Sequence, residues 1–178
     1  MARKCIFIVG YMGSGKSTGG RRLARAMGYR FTDMDAALVE ETGMSISDLF
    51  EALGEAGFRD TERRLLHRLS LENEAQVVAT GGGTPCFEDN MDFMLEHGRV
   101  VQFKVELASL LDRLRARRKQ RPLIADIPDD ELEAFIQSHL ARRAPFYDRA
   151  HINVDADVLD SERLASIIRM IDAEGLNP

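Results

Sequence analysis

The chain has 178 residues, of which 44% are hydrophobic and 30% charged, with a formal net charge of −5. That length suits one domain with one sizeable core, expected to span 1–178. The acidic balance excludes the broad basic footprint of a general nucleic-acid binder, so positive charge that meets an anionic ligand has to be local.

The run Cys5-Ile6-Phe7-Ile8-Val9 is apolar and rich in β-branched residues, the pattern of a strand buried on both faces of a parallel sheet. It is too short for a membrane helix or a signal core, which points to a cytoplasmic protein with no membrane partner. Residues 10–15 form a loop. A helix is expected from about Lys16, with Leu23, Ala24 and Met27 inward and a stop at Gly28. A second strand covers 29–32, and Asp33-Met34-Asp35 sits at its end. A helix over 36–42 ends at Gly43. Ser45 to Asp48 reads as the start of another, interrupted by Gly54 and Gly57, and a longer helix then puts Phe58, Leu65, Leu66 and Leu69 on one side. A third strand over 76–80 leads into Gly81-Gly82-Gly83. Then come a helix over 91–96, a strand over 100–103, a helix over 107–117, a loop over 119–130, a helix over 131–142, a fifth strand over 151–154 and a closing helix over 161–173. Strands alternating with helices predict a parallel sheet covered on both faces.

Gly10-Tyr11-Met12-Gly13-Ser14-Gly15-Lys16-Ser17 matches G-x-x-x-x-G-K-[ST], and it lies between a strand and a helix, where that motif belongs. Glycines let backbone N–H groups curl round phosphates, and the helix start adds unpaired donors and partial positive charge. Lys16 reaches the β- and γ-phosphates, and Ser17 offers a hydroxyl to Mg²⁺. Nucleotide binding follows from this loop; the reaction does not. Asp33 and Asp35 lie at a strand's C-terminal end, where ligands of open parallel sheets sit. They could divide the tasks of supporting Mg²⁺ and accepting a hydroxyl proton. Asp35 could equally be a helix N-cap.

Beyond the loop, the chain carries Phe31-x-Asp33-x-Asp35, Gly54-Glu55-x-Gly57-Phe58-Arg59-x-x-Glu62, Thr80-Gly81-Gly82-Gly83, Arg121-Pro122-Leu123-Ile124 and Arg143-Ala144-Pro145-Phe146-Tyr147. In this order and spacing the set resembles the shikimate kinase family over about residues 6–147. The resemblance implies a three-layer α/β/α P-loop kinase fold with a five-stranded parallel sheet in the order 2-3-1-4-5. It also implies phosphorylation of the 3-hydroxyl of shikimate by ATP. ATP-Mg²⁺ would bind at Gly13, Ser14, Gly15, Lys16, Ser17 and Thr18, with Asp33 joining Ser17 in the metal shell. Asp35 would hold ring hydroxyls and serve as the candidate base; Arg59 and Arg143 would bind the carboxylate. Phe58 and Glu62 would line the pocket, and Gly81, Gly82 and Gly83 would offer backbone N–H groups. An acceptor-binding segment would cover about 34–62. A mobile lid over about 117–130 would bring Arg121 to the phosphates, making Lys16, Asp35 and Arg121 the catalytic set. The family also suggests a monomer.

Arginine suits a carboxylate because its planar fork can donate two bonds. Other readings of the same residues stand beside these. Arg59 and Glu62, three apart on a helix, could be a surface ion pair, the glycine triplet a flexible loop, and the run from Arg113 to Arg121 a solvated face. His67, His97, His139 and His151 show no ligand spacing and read as structural or exposed. Cys5 and Cys86 form no C-x-x-C pair and read as reduced thiols. Rival functions are a gluconate or nucleoside monophosphate kinase, an NTP-dependent regulatory module and a homologue that only binds. A guanine switch would carry N-K-x-D, and none is present.

Two features depart from the family. Loop 155–160 reads Asp-Ala-Asp-Val-Leu-Asp, whereas many members place an arginine and a proline near the adenine; Arg113 is then the candidate to stack on the base from the lid side. Gly19-Gly20 sit early in the first helix, where each glycine lowers helix propensity by up to about 1 kcal/mol.

Overall fold

A computed structural model describes residues 5–173; the ends of the expected 1–178 domain lie outside them. Five strands form one sheet: β1 (Cys5–Val9), β2 (Arg30–Asp33), β3 (Gln76–Ala79), β4 (Arg99–Lys104) and β5 (Ile152–Asp155). All pairings are parallel and the order is β2-β3-β1-β4-β5, as expected. In β1 the pleat divides the side chains between two cores. Ile6 and Ile8 join Leu23, Val77, Val101, Phe103 and Ile167 on one face. Phe7 and Val9 join Met34, Leu66, Met94, Leu114 and Tyr147 on the other.

The first face is covered by α1 (Lys16–Met27) and α8 (Ser161–Ala173). The second is covered by α2 (Met34–Thr42), α3 (Ile46–Ser70), α4 (Asn90–His97), α5 (Leu107–Ala116) and α7 (Asp129–Tyr147). Short α6 (Pro122–Ala125) lies between α5 and α7. Ser45 and Asp48 close a capping box at the start of α3, worth about 1 kcal/mol. Gly54 breaks α3 with φ 65° and ψ 175°. Gly57 does not interrupt it; a Cβ there would lie 2.9 Å from the Leu53 Cβ, so Gly57 makes room for the kink.

Three boundaries differ from expectation. Helix α2 begins at Met34, because Asp33 is its N-cap and accepts from the N–H groups of Asp35 and Ala36. Asp35 is therefore in the first turn and is not the cap. Segment 119–130 is not a plain loop: it includes α6, and Ile124 is fully buried. Helix α7 runs past Arg142 and through Pro145 to Tyr147. An interior proline costs a helix about 3 kcal/mol. Burial of Tyr147 and its 2.5 Å hydrogen bond to the Gly82 carbonyl oppose this, contributing about 1.5–3 and about 1 kcal/mol.

The Gly19-Gly20 pair now has a structural reason. A Cβ on Gly19 would stand 2.5 Å from the Phe103 ring and 2.6 Å from a Leu159 methyl, while one on Gly20 would meet Phe31 at 3.0 Å. Helix α1 thus packs closer to the sheet than any side chain at position 19 allows. Overpacking a core costs about 1–3 kcal/mol, against about 1 kcal/mol of helix propensity gained from glycine to alanine. Gly19→Ala is expected to destabilise the protein by about 1 kcal/mol, read as a lower urea midpoint. Gly20→Ala, facing the movable edge of one ring, should leave the midpoint nearly unchanged.

Candidate active site

The strand register brings the site together. Asp33 is level with Ala79, and Ala79 with Ile8, so β2, β3 and β1 end in line. Thr80 locks this edge, its N–H and its hydroxyl both donating to the Ile8 carbonyl at 3.1 Å. The three segments that leave these strands are the glycine loop, the Asp33–Asp35 turn and Gly81 to Gly83. They therefore open into one cleft.

In the glycine loop, Gly10, Gly13 and Gly15 have φ of 144°, 82° and 85°, a region that side chains disfavour. The Lys16 ammonium donates to the carbonyls of Gly10 and Tyr11 at 2.8 and 3.0 Å. Burial pulls its pKa down to about 8; Asp35 and Asp33 oppose this, and Arg121 and Arg143 add to it. Ser14 is buried with its hydroxyl unpartnered, while Ser17 and Thr18 are exposed.

The two acids are placed differently. Asp33 spends Oδ1 on the α2 cap, accepting from Asp35 and Ala36 at 3.1 and 3.2 Å. Asp35 projects into the cleft. Water reaches part of the residue, yet the cleft walls desolvate its carboxyl. Its pKa is raised to about 6, first by that burial, then by Glu62 and Asp33, with Lys16 and Arg59 opposing.

Arg59 and Glu62 are not a surface pair. Glu62 is 1% exposed. One of its oxygens takes Arg59 at 2.5 Å and the other takes the Thr84 hydroxyl at 2.7 Å. The Arg59 guanidinium also lies over Phe58 and Phe50, at 5.4 and 5.7 Å from the ring centres. Phe58 is itself buried, stacked on Phe50 at 4.0 Å. Arg59 is thus aimed before any ligand arrives.

The glycine triplet is where these elements meet. A Cβ on Gly81 would clash with Glu62 and Thr84 and lie 3.3 Å from Asp35 Oδ1. One on Gly82 would lie 3.4 Å from Arg143 Nη1 and 3.5 Å from the Met12 nitrogen, and one on Gly83 would overlap the Arg59 guanidinium. None of the three has positive φ. The requirement is close approach by other groups, not an unusual backbone or a flexible loop.

Arg143 comes from α7 and Arg121 from the stretch between α5 and α6. Among the described residues neither has a carboxylate partner. Burial and Arg117 hold Arg121 below its ordinary pKa, with Asp35 pulling the other way. The segment carrying Arg121 is braced by Arg118, which donates to the Ile124 carbonyl at 3.0 Å and pairs with Asp129. Arg113 lies on the other side of the glycine loop, donating to the Gly13 carbonyl at 3.2 Å and the Asp157 carbonyl at 2.9 Å. Cys5 is buried and Cys86 half-buried, both free.

A phosphate-binding loop after the central strand of a 2-3-1-4-5 parallel sheet, opening on a cleft of arginines and carboxylates, defines a P-loop kinase fold. The chain belongs to the shikimate kinase family: the model of that family, described as "Shikimate kinase", matches residues 12–172. A shikimate kinase of Phocaeicola vulgatus is 46% identical over 158 residues, covering 89% of this chain and 90% of that one. The crystal structure of shikimate kinase from Bacteroides thetaiotaomicron superposes with a TM-score of 0.85 at 40% identity, covering 96% of this chain and 97% of that one. Shikimate kinase from Acinetobacter baumannii in complex with shikimate superposes with a TM-score of 0.85 at 34% identity, covering 97% and 95%.

Sequence reading missed Thr84, which fixes Glu62, and the Tyr11, His139 and Tyr147 contacts of α7. His139, Arg143 and Tyr147 recur at a spacing of four, the signal of one helix face, but a helix ending at 142 hides it.

The Asp35 shift has a sign in stability. Between the unfolded value of 3.8 and the folded value of about 6, the native state holds the proton that the unfolded state has lost. Stability therefore falls as pH rises through that window. Asp35→Asn is expected to flatten this decline and to leave the variant more stable than the parent at pH 7, measured by urea unfolding at a series of pH values. An unchanged pH profile would mean that Asp35 titrates normally.

Proposed function

We propose that this protein transfers the γ-phosphoryl group of ATP to the 3-hydroxyl of shikimate, giving shikimate 3-phosphate and ADP. One observation carries the reading. Within the triplet, Gly83 faces the Arg59 guanidinium, Gly82 faces Arg143 and the phosphate loop, and Gly81 faces Glu62 and Thr84 with Asp35 just beyond them. A compact acid bearing several hydroxyls fits that order: its carboxylate meets two guanidiniums, and its hydroxyls meet a carboxylate beside the phosphates.

Lys16 exchanges the carbonyls of Gly10 and Tyr11 for the β- and γ-phosphates, whose charge restores its pKa. Asp35 orients the acceptor hydroxyl and takes its proton. A pKa near 6 leaves it ionised at pH 7 but more basic than an ordinary carboxylate, which suits a general base. Arg121 closes over the phosphates with the lid, proposed to cover about 117–130, and excludes water that would otherwise accept the phosphoryl group. The segment over 34–62 supplies the acceptor side. Gly13, Ser14, Gly15, Ser17 and Thr18 complete the nucleotide loop, and Arg113 borders the base.

The donor set also fits Mg²⁺. Asp33 keeps one oxygen free of the helix cap, and the Ser17 hydroxyl is exposed; a hydroxyl and a carboxylate acting through water are ligands of the kind Mg²⁺ takes. When bound, the ion would neutralise phosphate charge. We place the enzyme in the cytoplasm as a monomer. Both cysteines are unpaired, and no helix among the described residues is long and apolar enough to cross a membrane.

ADP release from ATP-Mg²⁺ tests the reaction, with shikimate, gluconate, AMP and no acceptor run side by side. Release with shikimate alone is expected, and release with another acceptor would sink the pocket assignment. Arg143→Ala removes a charged hydrogen bond of about 1.5–3 kcal/mol. It is expected to raise KM for shikimate by about 10- to 100-fold while KM for ATP stays nearly constant. Equal weakening of both substrates would make Arg143 a scaffold residue.

A further inference from the structure

Helix α7 presents His139, Arg143 and Tyr147 at successive turns of one face. Two of them meet the glycine triplet and the third meets the phosphate loop. The Tyr147 hydroxyl donates to the Gly82 carbonyl at 2.5 Å. Arg143 Nη1 stands where it would lie 3.4 Å from a Cβ on Gly82. The His139 ring meets the glycine loop itself: its Nδ1 is hydrogen-bonded to the Tyr11 hydroxyl at 2.8 Å, and the two rings stand edge to face at 5.5 Å. Phe135, one turn earlier, backs the imidazole at 5.4 Å.

The loop needs such an anchor. It holds three glycines of positive φ, so its backbone has wide conformational freedom, and the buried Ser14 hydroxyl inside it has no hydrogen-bond partner. Tyr11 is 2% exposed and is the large side chain by which the loop grips the core. The geometry also closes a ring of contacts. Tyr11 joins the loop to His139, α7 joins His139 to Tyr147, Tyr147 donates to the Gly82 carbonyl, and Thr80 beside the triplet donates to the Ile8 carbonyl of β1, the strand from which the loop leaves. The nucleotide loop and the arginine on the acceptor side are thereby held at one separation.

We propose that His139 is a positioning residue that ties the phosphate loop to the helix carrying Arg143 and so aligns the two substrates for in-line transfer. The proposal rests on the reaction proposed above. His139 touches neither substrate, so losing its bond removes no binding contact; it disturbs alignment. Misplacement by about 1 Å can cost about a hundredfold in rate. The signature is therefore a fall in kcat with both KM values kept.

The test uses the full chain and steady-state kinetics with ATP-Mg²⁺ and shikimate. His139→Phe keeps a ring between Tyr11 and Phe135 but deletes the bond; Tyr11→Phe deletes it from the other side. Each is expected to lower kcat about tenfold, with KM for ATP and for shikimate changed less than about twofold. The double variant should fall no further than either single one, because both remove the same interaction. His139→Gln, which can still hydrogen-bond the phenol, should recover most of the activity. Wild-type kcat in either phenylalanine variant, or falls that multiply in the double one, would overturn the proposal. So would a lower melting temperature with unchanged kcat per folded enzyme. If His139→Phe does not fold, Tyr11→Phe, which lacks one oxygen only, decides. If the parent enzyme turns over a different acceptor, the pocket reading fails, and the same ratios taken with that acceptor still decide the role of His139.

Discussion

Four cations share one cleft, and the rest of the site is arranged around their repulsion. Lys16, Arg59, Arg121 and Arg143 converge in a chain of net charge −5, and for two of them the crowding shows in their ionisation. Lys16 is drawn down to about 8 and Arg121 below its ordinary value, each first by burial and then by neighbouring guanidiniums. Two of the four are steadied from within, Arg59 by buried Glu62 and Lys16 by two carbonyls. Arg121 and Arg143 are left without an acid among the described residues. Such a cleft is preorganised for negative charge. An anion entering it relieves repulsion that folding has already imposed, so the acidic surface elsewhere does not prevent anion capture.

Glu62 links that charge problem to the chemistry. With Arg59 on one oxygen and Thr84 on the other, it is too occupied and too buried to be chiefly a substrate contact. It orients a guanidinium, and its charge pushes the Asp35 carboxyl upward. One buried carboxylate thus aims the proposed acceptor-binding cation and strengthens the proposed base. The arrangement depends on Gly81, since any side chain there would collide with Glu62. The glycine triplet reads as backbone donors in sequence, and in three dimensions it is the space that lets three elements approach.

The nucleotide loop and most element positions were legible from sequence because they rest on local signals, whereas the strand order came from the family resemblance. Apolar runs mark the strands, and Gly10 to Ser17 sits where its motif must. The misplaced ends were decided by contacts distant in sequence. Pro145 argues for a helix stop, yet Tyr147 is held through Gly82, 65 residues away. Asp33 and Asp35 are equally good caps on paper; the register of β2 against β3 selects Asp33. Arg59 with Glu62 has the spacing of a surface pair, and only Thr84, 22 residues on, shows the buried one. Likewise nothing local connects Tyr11 with His139, which lie 128 residues apart.

The glycine pair in α1 and the loop over 155–160, which carries no arginine, meet at a single contact. Leu159 of that loop packs where a side chain at position 19 would be, and Arg22 of α1 donates to the Leu159 carbonyl. The acids of the loop brace it further. Asp155 accepts from the Asp157 N–H at 3.0 Å, and Asp157 accepts from the Glu106 N–H at 2.9 Å. Arg113 then spans from α5 to both Gly13 and Asp157. The wall beside the proposed base site is therefore built by seating the loop on α1 and bringing the guanidinium across from the opposite side. Gly19 gives up helix propensity of about 1 kcal/mol so that Leu159 can be seated, and an arginine within the loop is not needed to fix its course.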